Sequence, residues 1–362
     1  MKVLFLAAYS NLVAASRIKV YQFLPLLKKR GIMCRAICFA PSFLYRIRLA
    51  SANNKNLLLA YYPLSYIIRL YKTVLAIFIA SKFDIIFINE PIIPLGLERL
   101  LKLANKNIIF QFSDAVFLDK KEGDKFLERL RSQALFKYWK RIAVVAKYCL
   151  VDNDYTKTAV LKFCQNVDKI TGPIDTEKYF FREDKKEKNY VVMGWIGTPF
   201  TTKYIYEVED ALREISKKYN IVLRLVGAKK DFKMEGVDYE IKEWKIDTEL
   251  AWLSTFNIGI MPLTDDAWAR GKAGYKLLQY MSMGIPAIAS SVGFNKELIE
   301  DGVCGFLAAT KEEWVKKISL LIENEELRKK ISRNARVAVE EHYSLKKAEE
   351  KIFNIFKKII NL

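Results

Sequence analysis

Short apolar segments alternate with longer amphipathic stretches along this chain, and the alternating series occurs twice. The apolar segments of the first series are 3–7, 33–39, 84–89, 107–112 and 148–151, and those of the second are 190–196, 221–226, 258–261 and 286–290. Segments this short and apolar are typical of parallel strands with helices on both faces. Two series therefore predict an α/β protein with two Rossmann-like, doubly wound domains.

Helices are predicted between these strands and at the end of the chain, at 17–30, 154–163, 204–219, 274–283, 311–324, 325–342 and 344–360. The boundary between the domains lies where the pattern changes. Gly172-Pro173 is a turn signal, and the highly charged run 182–188 follows it. We therefore assign residues 1–172 to the first domain and residues 173–343 to the second.

The 362 residues carry a formal charge of +19, and most of this excess lies in the first quarter of the chain. Residues 1–83 contain thirteen Lys or Arg and no Asp or Glu, and Asp84 is the first acidic residue. So uneven a distribution indicates an anionic partner, which is a membrane surface, nucleic acid or a polyanionic substrate. The alternative is a solvated basic face with no partner.

The stretch Leu57–Phe83 is apolar, but Arg69 and Lys72 interrupt it and leave charge-free runs of 13 and 9 residues. A membrane span needs about 18–20 apolar residues, so the stretch is interpreted as an interfacial helix or as an ordinary helix covering a sheet. The first eight residues are predicted to form a buried strand rather than a signal peptide. We expect a cytoplasmic protein, peripheral on the inner face of the membrane, whose binding to anionic vesicles weakens with salt.

The histidine and cysteine content and the glycine motifs of the sequence do not indicate a metal or cofactor site. His342 is the only histidine, and the five cysteines contain no CxxC pair, so no metal is expected. The chain also lacks the GxGxxG and P-loop patterns, which argues against a nicotinamide cofactor and against Walker-type nucleotide binding.

Two places after predicted strands of the second domain suit a phosphate ligand, because ligands bind beyond the carboxyl ends of parallel strands. Gly197 ends one strand, and Lys203 lies where the next helix opens, a position that favours an anion. Lys272, Lys276 and Gln279 share one helix face by their spacing. Two ammonium groups and an amide suit a diphosphate with a ribose beside it, whereas the alternative is a solvated lysine face.

At these residues the second half resembles the retaining glycosyltransferases of family 4, which have the GT-B fold. The resemblance lies in residues 276–290 (KLLQYMSMGIPAIAS) and 297–307 (ELIEDGVCGFL), in the hinge-like segment 172–180 (GPIDTEKYF) and in the closing helices. It is specific over about 190–345 and weaker over 1–170. It implies that the last helix, 344–362, crosses back onto the first domain.

The resemblance further implies a nucleotide-sugar donor on the second domain, an acceptor on the first, and metal-independent transfer with retention. Lys203, Lys272 and Lys276 would then neutralise the leaving diphosphate. The residues assigned to donor binding are Gly197, Thr198, Arg270, Lys276 and Gln279. The sequence departs from the family where two glutamates are usual, since Gly271 and Gln279 occupy those positions, and Thr198 stands where an arginine is usual.

In the first domain, candidate residues follow the predicted strands. Ser16 and Arg17 are predicted to contact the donor phosphate or the acceptor, or else to be a helix cap and a surface charge. Glu90 and Asp114 each follow a buried strand, where a carboxylate can orient an acceptor hydroxyl or stabilise oxocarbenium charge. Asp114 is assigned the catalytic role together with Lys203 and Lys272, and an N-cap is its alternative.

The sequence thus predicts a glycosyltransferase that moves a sugar from a nucleotide diphosphate to a cell-surface glycan or lipid-linked acceptor. The first alternative is a GT-B scaffold that binds sugar nucleotides without turnover, because Gln279 and Gly271 replace glutamates. The second is a nucleic-acid-binding protein, which the pI near 9.5 permits but no recognised motif supports. We expect no nucleic-acid partner.

Overall fold

The computed structural model describes residues 1–50, 54–90, 93–112, 126–181 and 189–361. The chain divides into two compact units. Unit 1 comprises Met1–Pro173, Gly271–Ala273 and Ala348–Leu362, and unit 2 comprises Ile174–Arg270 and Gly274–Lys347. The predicted charged run 182–188 lies outside the described residues.

Unit 1 is built on a six-stranded parallel sheet with strand order β2-β1-β3-β4-β5-β6. Its strands are β1 (Lys2–Tyr9), β2 (Met33–Ala40), β3 (Ile85–Asn89), β4 (Ile108–Gln111), β5 (Tyr148–Val151) and β6 (Val167–Lys169). Every residue of β3, β4 and β5 is buried, so these strands form the centre of the core. Their β-branched and aromatic residues suit a sheet that is covered on both faces.

The helices of unit 1 cover both faces of this sheet. They are α1 (Ala14–Ser16), a π-helical segment (Arg17–Tyr21), α2 (Phe23–Lys29), α3 (Ser42–Ala50), α4 (Lys55–Ala80), a 3-10 turn (Pro94–Gly96), α5 (Glu98–Ala104), α6 (Phe126–Val145) and α7 (Asp154–Val160). The predicted helix 17–30 is therefore two consecutive helical segments, the π-helical segment and α2, and α1 precedes them. It ends at Gly31, whose φ of 78° is a conformation that glycine adopts without strain.

Unit 2 repeats the architecture, with strand order β12-β11-β10-β7-β8-β9 and all neighbours parallel. Its strands are β7 (Val191–Ile196), β8 (Ile221–Val226), β9 (Tyr239–Lys242), β10 (Ile258–Met261), β11 (Ala287–Ser290) and β12 (Phe306–Ala308). Its helices are a 3-10 helix (Pro199–Val208), α8 (Glu209–Lys218), α9 (Glu249–Leu253), α10 (Ala267–Arg270), α11 (Tyr275–Ser282), α12 (Asn295–Leu298), α13 (Lys311–Glu323) and α14 (Glu325–His342). The first turn of the predicted helix 204–219 is thus 3-10 rather than α-helical.

The last helix, α15 (Leu345–Asn361), belongs to unit 1 from Ala348 onward. Its Phe356 ring lies 6.5 Å from the Phe5 ring and 6.3 Å from the Phe87 ring, between centroids. Lys147 Nζ also donates a hydrogen bond to Ile359 O at 2.9 Å. The apolar face of this helix is therefore part of the core of unit 1.

The prediction of two doubly wound parallel α/β domains is confirmed. Three strands were missing from it, namely β6, β9 and β12. Each has three or four residues and lies at an edge of its sheet, and β9 has the mixed sequence YEIK. Edge strands are covered on fewer sides, so their sequences lack the continuous apolar run that marks a central strand.

Helix α4 is one continuous helix despite Pro63 inside it. Among the described residues it is the one helix, over Asn56–Ala80, that is long and apolar enough to cross a membrane by length and composition. The sequence analysis argued against a span because Arg69 and Lys72 interrupt the apolar stretch, and that interpretation stays a prediction. Only 22% of its most apolar window is buried within the protein.

Candidate functional site

The loops at the carboxyl edge of the unit 2 sheet approach one another through glycines. Gly227 follows β8 with a φ of 78°, and a Cβ on it would lie 2.4 Å from the carbonyl oxygen of Gly197, which follows β7. Lys229 N also donates a hydrogen bond to Thr202 Oγ1 at 3.0 Å. The loops after β7 and β8 therefore form one surface at the edge where doubly wound sheets bind ligands.

The loops after β10 and β11 meet in the same way. A Cβ on Gly293, whose φ is 51°, would lie 2.6 Å from the Cα atom of Arg270. Leu263 N donates a hydrogen bond to Ser290 Oγ at 2.9 Å, which joins the two strand ends. Four loops of unit 2 are thus held in fixed pairs at one edge of the sheet.

Trp195 in β7 links two of the predicted donor-binding residues. A Cβ on Gly197 would lie 2.3 Å from the Trp195 ring, so only glycine fits at that position. The Lys276 ammonium lies 4.4 Å from the centroid of the same ring, a cation–π contact. Gly197 and Lys276, which are 79 positions apart in the sequence, are therefore brought together on one buried indole.

Helix α11 holds Lys276 in its first turn. Gly274 is its N-cap with a φ of 63°, and a Cβ there would lie 2.6 Å from the Phe294 ring. One turn further along α11, the hydroxyl of Tyr280 accepts a hydrogen bond from Ile196 N at 3.0 Å, which fixes α11 to the end of β7. The Lys276 ammonium therefore lies near a helix N-terminus, where positive dipole and ammonium act together on an anion.

Lys203 and Thr198, two further predicted residues of unit 2, do not contact the Trp195 ring in the contacts described above. Lys203 is exposed, with Nζ 5.1 Å from the Tyr204 ring centroid and 5.7 Å from that of Phe200. Thr198 N donates to Thr201 Oγ1 at 3.1 Å, so Thr198 begins the 3-10 helix as its N-cap. Lys203 presents its charge to solvent, and Thr198 has a structural role of its own.

Arg270 is paired with a neighbouring residue, and Lys272 does not lie on the helix face that its spacing indicated. Arg270 makes a two-pronged ion pair with Asp265, at 2.6 Å and 3.0 Å, and the hydrogen bond from Arg270 lowers the pKa of the Asp265 carboxyl. Lys272 groups with unit 1, whereas Lys276 belongs to unit 2. Helix α11 begins only at Tyr275, so Lys272 does not share a helix face with Lys276 and Gln279.

Gln279 lies in a buried hydrogen-bond network. Its Nε2 donates to Tyr179 OH at 3.2 Å, and Tyr179 OH in turn donates to the Glu249 carboxylate. Trp244 Nε1 donates to Glu249 Oε2 at 2.7 Å. Burial raises the pKa of Tyr179, and Tyr275 and Glu249 act in the same direction. One donor of the Gln279 amide is therefore engaged within unit 2, and its contact with a ribose stays a prediction.

Removing the Tyr179 hydroxyl is expected to destabilise unit 2. Tyr179→Phe leaves a Glu249 oxygen and the Gln279 amide buried without that partner, at a cost of about 1–3 kcal/mol. The matched control is Tyr219→Phe, which removes an exposed hydrogen bond to Glu323 and is expected to cost less than about 0.5 kcal/mol. Urea unfolding of both variants measures the difference, and equal costs would contradict the role of the network.

In unit 1, Ser16 is fully buried and ties the ends of two strands. Tyr9 N donates to Ser16 Oγ at 3.0 Å, and Ser16 Oγ donates to Asn89 Oδ1 at 3.2 Å. Arg17 donates to the carbonyls of Asn11 and Leu12 at 3.3 Å and 3.2 Å, and so orders the loop after β1. β1 and β3 are the strands between which the order of the sheet reverses, and this is the position of ligand sites in such folds.

Glu90 follows β3 with a φ of 53°, a left-handed conformation that is uncommon for residues other than glycine. Strained backbone of this kind clusters at functional sites. Burial raises the pKa of Tyr9, the positive charge of Arg69 opposes this rise and the negative charge of Glu90 adds to it. The predicted catalytic Asp114 lies outside the described residues.

Two residues that the sequence analysis missed are central to these sites. Trp195 has a fully buried indole, and its Nε1 has no hydrogen-bond partner in the described structure. Asn89 is fully buried, and its Nδ2 likewise has none. Asn89 could have been recognised from the sequence, because it is a polar residue at the end of an apolar strand. Trp195 could not, because in the sequence it is indistinguishable from an ordinary core residue. Among the described residues, no three His, Cys, Asp or Glu side chains gather in a metal-binding group, and metal independence stays a prediction.

Comparisons with known proteins find a known family that matches most of unit 2. Residues 175–338 match the family described as glycosyl transferases group 1. An uncharacterized glycosyltransferase of Methanocaldococcus jannaschii, MJ1069, is 27% identical over 201 residues, which are 49% of each chain. The chain thus matches about half the length of this curated relative.

Solved structures match the whole chain at low identity. A glycosyltransferase from Rickettsia africae has a TM-score of 0.72 with 16% identity, covering 99% of this chain and 98% of its own. Anabaena HepE, solved with UDP-glucose, gives 0.69 with 15% identity over 99% and 100% of the two chains. Sucrose-phosphate synthase from Thermosynechococcus elongatus gives 0.68 with 12% identity over 100% and 99%. These likenesses show that the fold is of the GT-B type, as predicted.

Proposed function

We propose that this chain, whose residues 175–338 match the glycosyl transferases group 1 family and whose fold is of the GT-B type, transfers a sugar from a nucleotide diphosphate to an acceptor. The observation that carries the proposal is the contact of Gly197 and Lys276 with one tryptophan ring at the carboxyl edge of the unit 2 sheet. A glycine loop and an ammonium at a helix N-terminus suit the diphosphate of the donor.

The proposed mechanism is metal-independent and retains the configuration at the anomeric carbon. As the bond from that carbon to the diphosphate breaks, negative charge grows on the departing phosphate oxygen. The acceptor hydroxyl oxygen forms the new bond to the same carbon, and its proton passes to the departing diphosphate. The Lys276 ammonium stabilises this charge from α11, and the exposed Lys203 supplies a second cation. We also propose catalytic roles for Lys272 and Asp114, as the sequence analysis did.

The proposed acceptor is a cell-surface glycan or a lipid-linked precursor, bound by unit 1. The support lies in the end of β3, where Glu90 has a left-handed backbone conformation and the Nδ2 of buried Asn89 has no hydrogen-bond partner among the described residues. Both residues adjoin the loop that Arg17 orders, through the hydrogen bond from Ser16 to Asn89. A carboxylate and an amide at this position suit the hydroxyl groups of a sugar. The basic first quarter of the chain suits an acceptor with anionic groups.

A second candidate function is sugar-nucleotide binding without turnover. It is favoured by Gln279, whose amide is engaged with Tyr179 where the family usually has a glutamate. The two functions differ in one measurement. Release of the nucleoside diphosphate from the donor, followed with and without a glycan acceptor, is expected for the transferase and absent for the binding protein.

Donor binding is tested by thermal denaturation against UDP-, GDP-, TDP- and ADP-sugars. We begin with UDP-glucose because Anabaena HepE was solved with it. A donor at about 100 times its dissociation constant is expected to stabilise the protein by about 2.7 kcal/mol, with EDTA making no difference. No shift with any of the four nucleotide classes would contradict the proposed function, and a shift that requires a divalent ion would contradict its metal independence.

A further inference from the structure

Helix α4 of unit 1 exposes a continuous apolar stripe to solvent. We define the α4 stripe as Leu64, Ile67, Tyr71, Val74 and Phe78, whose exposed fractions lie between 38 and 77%. Their spacing alternates between three and four residues, so all five lie on one face of the helix. Apolar side chains arranged in this way on the outside of a protein indicate a surface that another apolar phase covers.

The opposite face of α4 is fixed to unit 1. Tyr61, Ser65, Thr73, Ala76 and Ala80 are buried on it. The helix packs against β2, α3 and α5, and Asn105 Nδ2 donates a hydrogen bond to Ala80 O at 3.0 Å. A helix that spans a bilayer would have to leave these contacts. The geometry therefore favours a helix that lies in the plane of a surface rather than across it.

The positive charge around α4 indicates what kind of surface the α4 stripe contacts. The chain has no acidic residue before Asp84, so α3 and α4 carry only positive charge. Arg46 and Arg48 of α3, which packs on α4, are exposed, and Lys82 is exposed just beyond the end of α4. Two copies of the chain meeting at this face would bring like charges together, whereas anionic lipid headgroups complement them.

Helix α5, which packs on α4, extends the same character. Its Leu100 and Leu103 are exposed at 49% and 80%, and Arg99 of the same helix is also exposed. Apolar side chains with basic residues around them are the composition of helices that lie at the boundary between headgroups and acyl chains. The apolar groups enter the acyl region, and the cations stay at headgroup level.

We propose that the α4 stripe inserts into the interface of an anionic lipid bilayer and holds unit 1 on its surface. The inference is independent of the proposed transfer, because binding is measured without donor or acceptor. It goes beyond charge attraction, since apolar insertion persists at salt concentrations that screen exposed charges.

The test is co-sedimentation of the full chain with vesicles of phosphatidylcholine containing 30% phosphatidylglycerol, at low and at high salt. The stripe variant is Ile67→Ser, Tyr71→Ser and Phe78→Ser in one chain, and it removes only exposed side chains. The matched control is Ile246→Ser, Leu320→Ser and Val337→Ser, three exposed apolar residues of unit 2. The stripe variant is expected to bind about 100-fold more weakly, and the control as wild type does.

Other outcomes overturn the proposal. Equal vesicle binding by the stripe variant and wild type would remove the α4 stripe from the contact. A wild-type dimer in sedimentation analysis that the stripe variant dissociates, without vesicle binding by either, would assign the face to a second copy. Retention of wild type in vesicles after extraction at pH 11 would assign α4 to a span. Equal binding to vesicles of phosphatidylcholine alone would remove the role of charge.

Discussion

Replacing Lys276 with alanine is expected to lower kcat about 100-fold or more, once a donor has been identified. Lys276 lies in the first turn of α11 with its ammonium over the Trp195 ring, and Gly197 closely approaches the same ring. A preorganised charge at the position where negative charge develops is worth about two to three orders of magnitude in rate. The loss should fall mainly on kcat, because the diphosphate gains charge as its bond to the sugar breaks.

The control for this measurement is Lys330→Ala, which removes an exposed lysine of α14 from the same unit. We expect it to retain wild-type rates. Lys276→Arg keeps the charge and is expected to recover part of the activity, although a guanidinium does not reproduce the position of an ammonium. Wild-type kcat in Lys276→Ala, with unchanged thermal stability in all three variants, would remove Lys276 from the site.

The central strands could be predicted because their physical signature is local. β5, β8 and β10 have the predicted bounds, since each is a short apolar run that turn residues terminate. The edge strand β9 could not be found in this way, because its residues YEIK are half-buried or exposed and it forms a strand only by pairing with β8. Strand pairing at an edge is a tertiary property with little trace in the sequence.

In the candidate site, too, the local features could be predicted from the sequence and the tertiary contacts could not. The glycine after β7 and the lysine of α11 could be recognised from spacing, and the structure brings both to Trp195. The spacing also grouped Lys272 with Lys276, which was wrong as a helix face because α11 starts at Tyr275. Gly274, with its positive φ, ends the preceding turn and begins the helix, so helical periodicity cannot be continued back through it.

The partners of Gln279 could not be predicted at all. Tyr179 lies 100 positions before it, in the segment that the sequence identified only as a hinge. Only the fold shows that Tyr179, Glu249 and Gln279 form one buried network. A polar residue on an apolar helix is satisfied either by a ligand or by a distant side chain, and the sequence does not distinguish these two arrangements.

Replacing Lys19 with methionine is expected to reduce the free energy of unfolding by about 3–5 kcal/mol. Lys19 is buried in the π-helical segment and forms an ion pair with the fully buried Asp152, and its Nζ also lies 3.4 Å from Ile170 O. Methionine fills nearly the same volume, so the cost arises from the Asp152 carboxylate, which stays buried without its ammonium partner. Urea denaturation measures the change.

Two variants separate this electrostatic cost from a loss of packing. Lys169→Met breaks the ion pair between Lys169 and Asp154, in which the two side chains are 32% and 61% exposed. This variant is expected to lower the free energy of unfolding by no more than about 1 kcal/mol. The double variant Lys19→Met and Asp152→Leu removes both buried charges and is expected to recover most of the lost stability, since no charge remains uncompensated. If the double variant were as unstable as Lys19→Met alone, the cost would come from packing, and the buried pair would have no electrostatic role in unit 1.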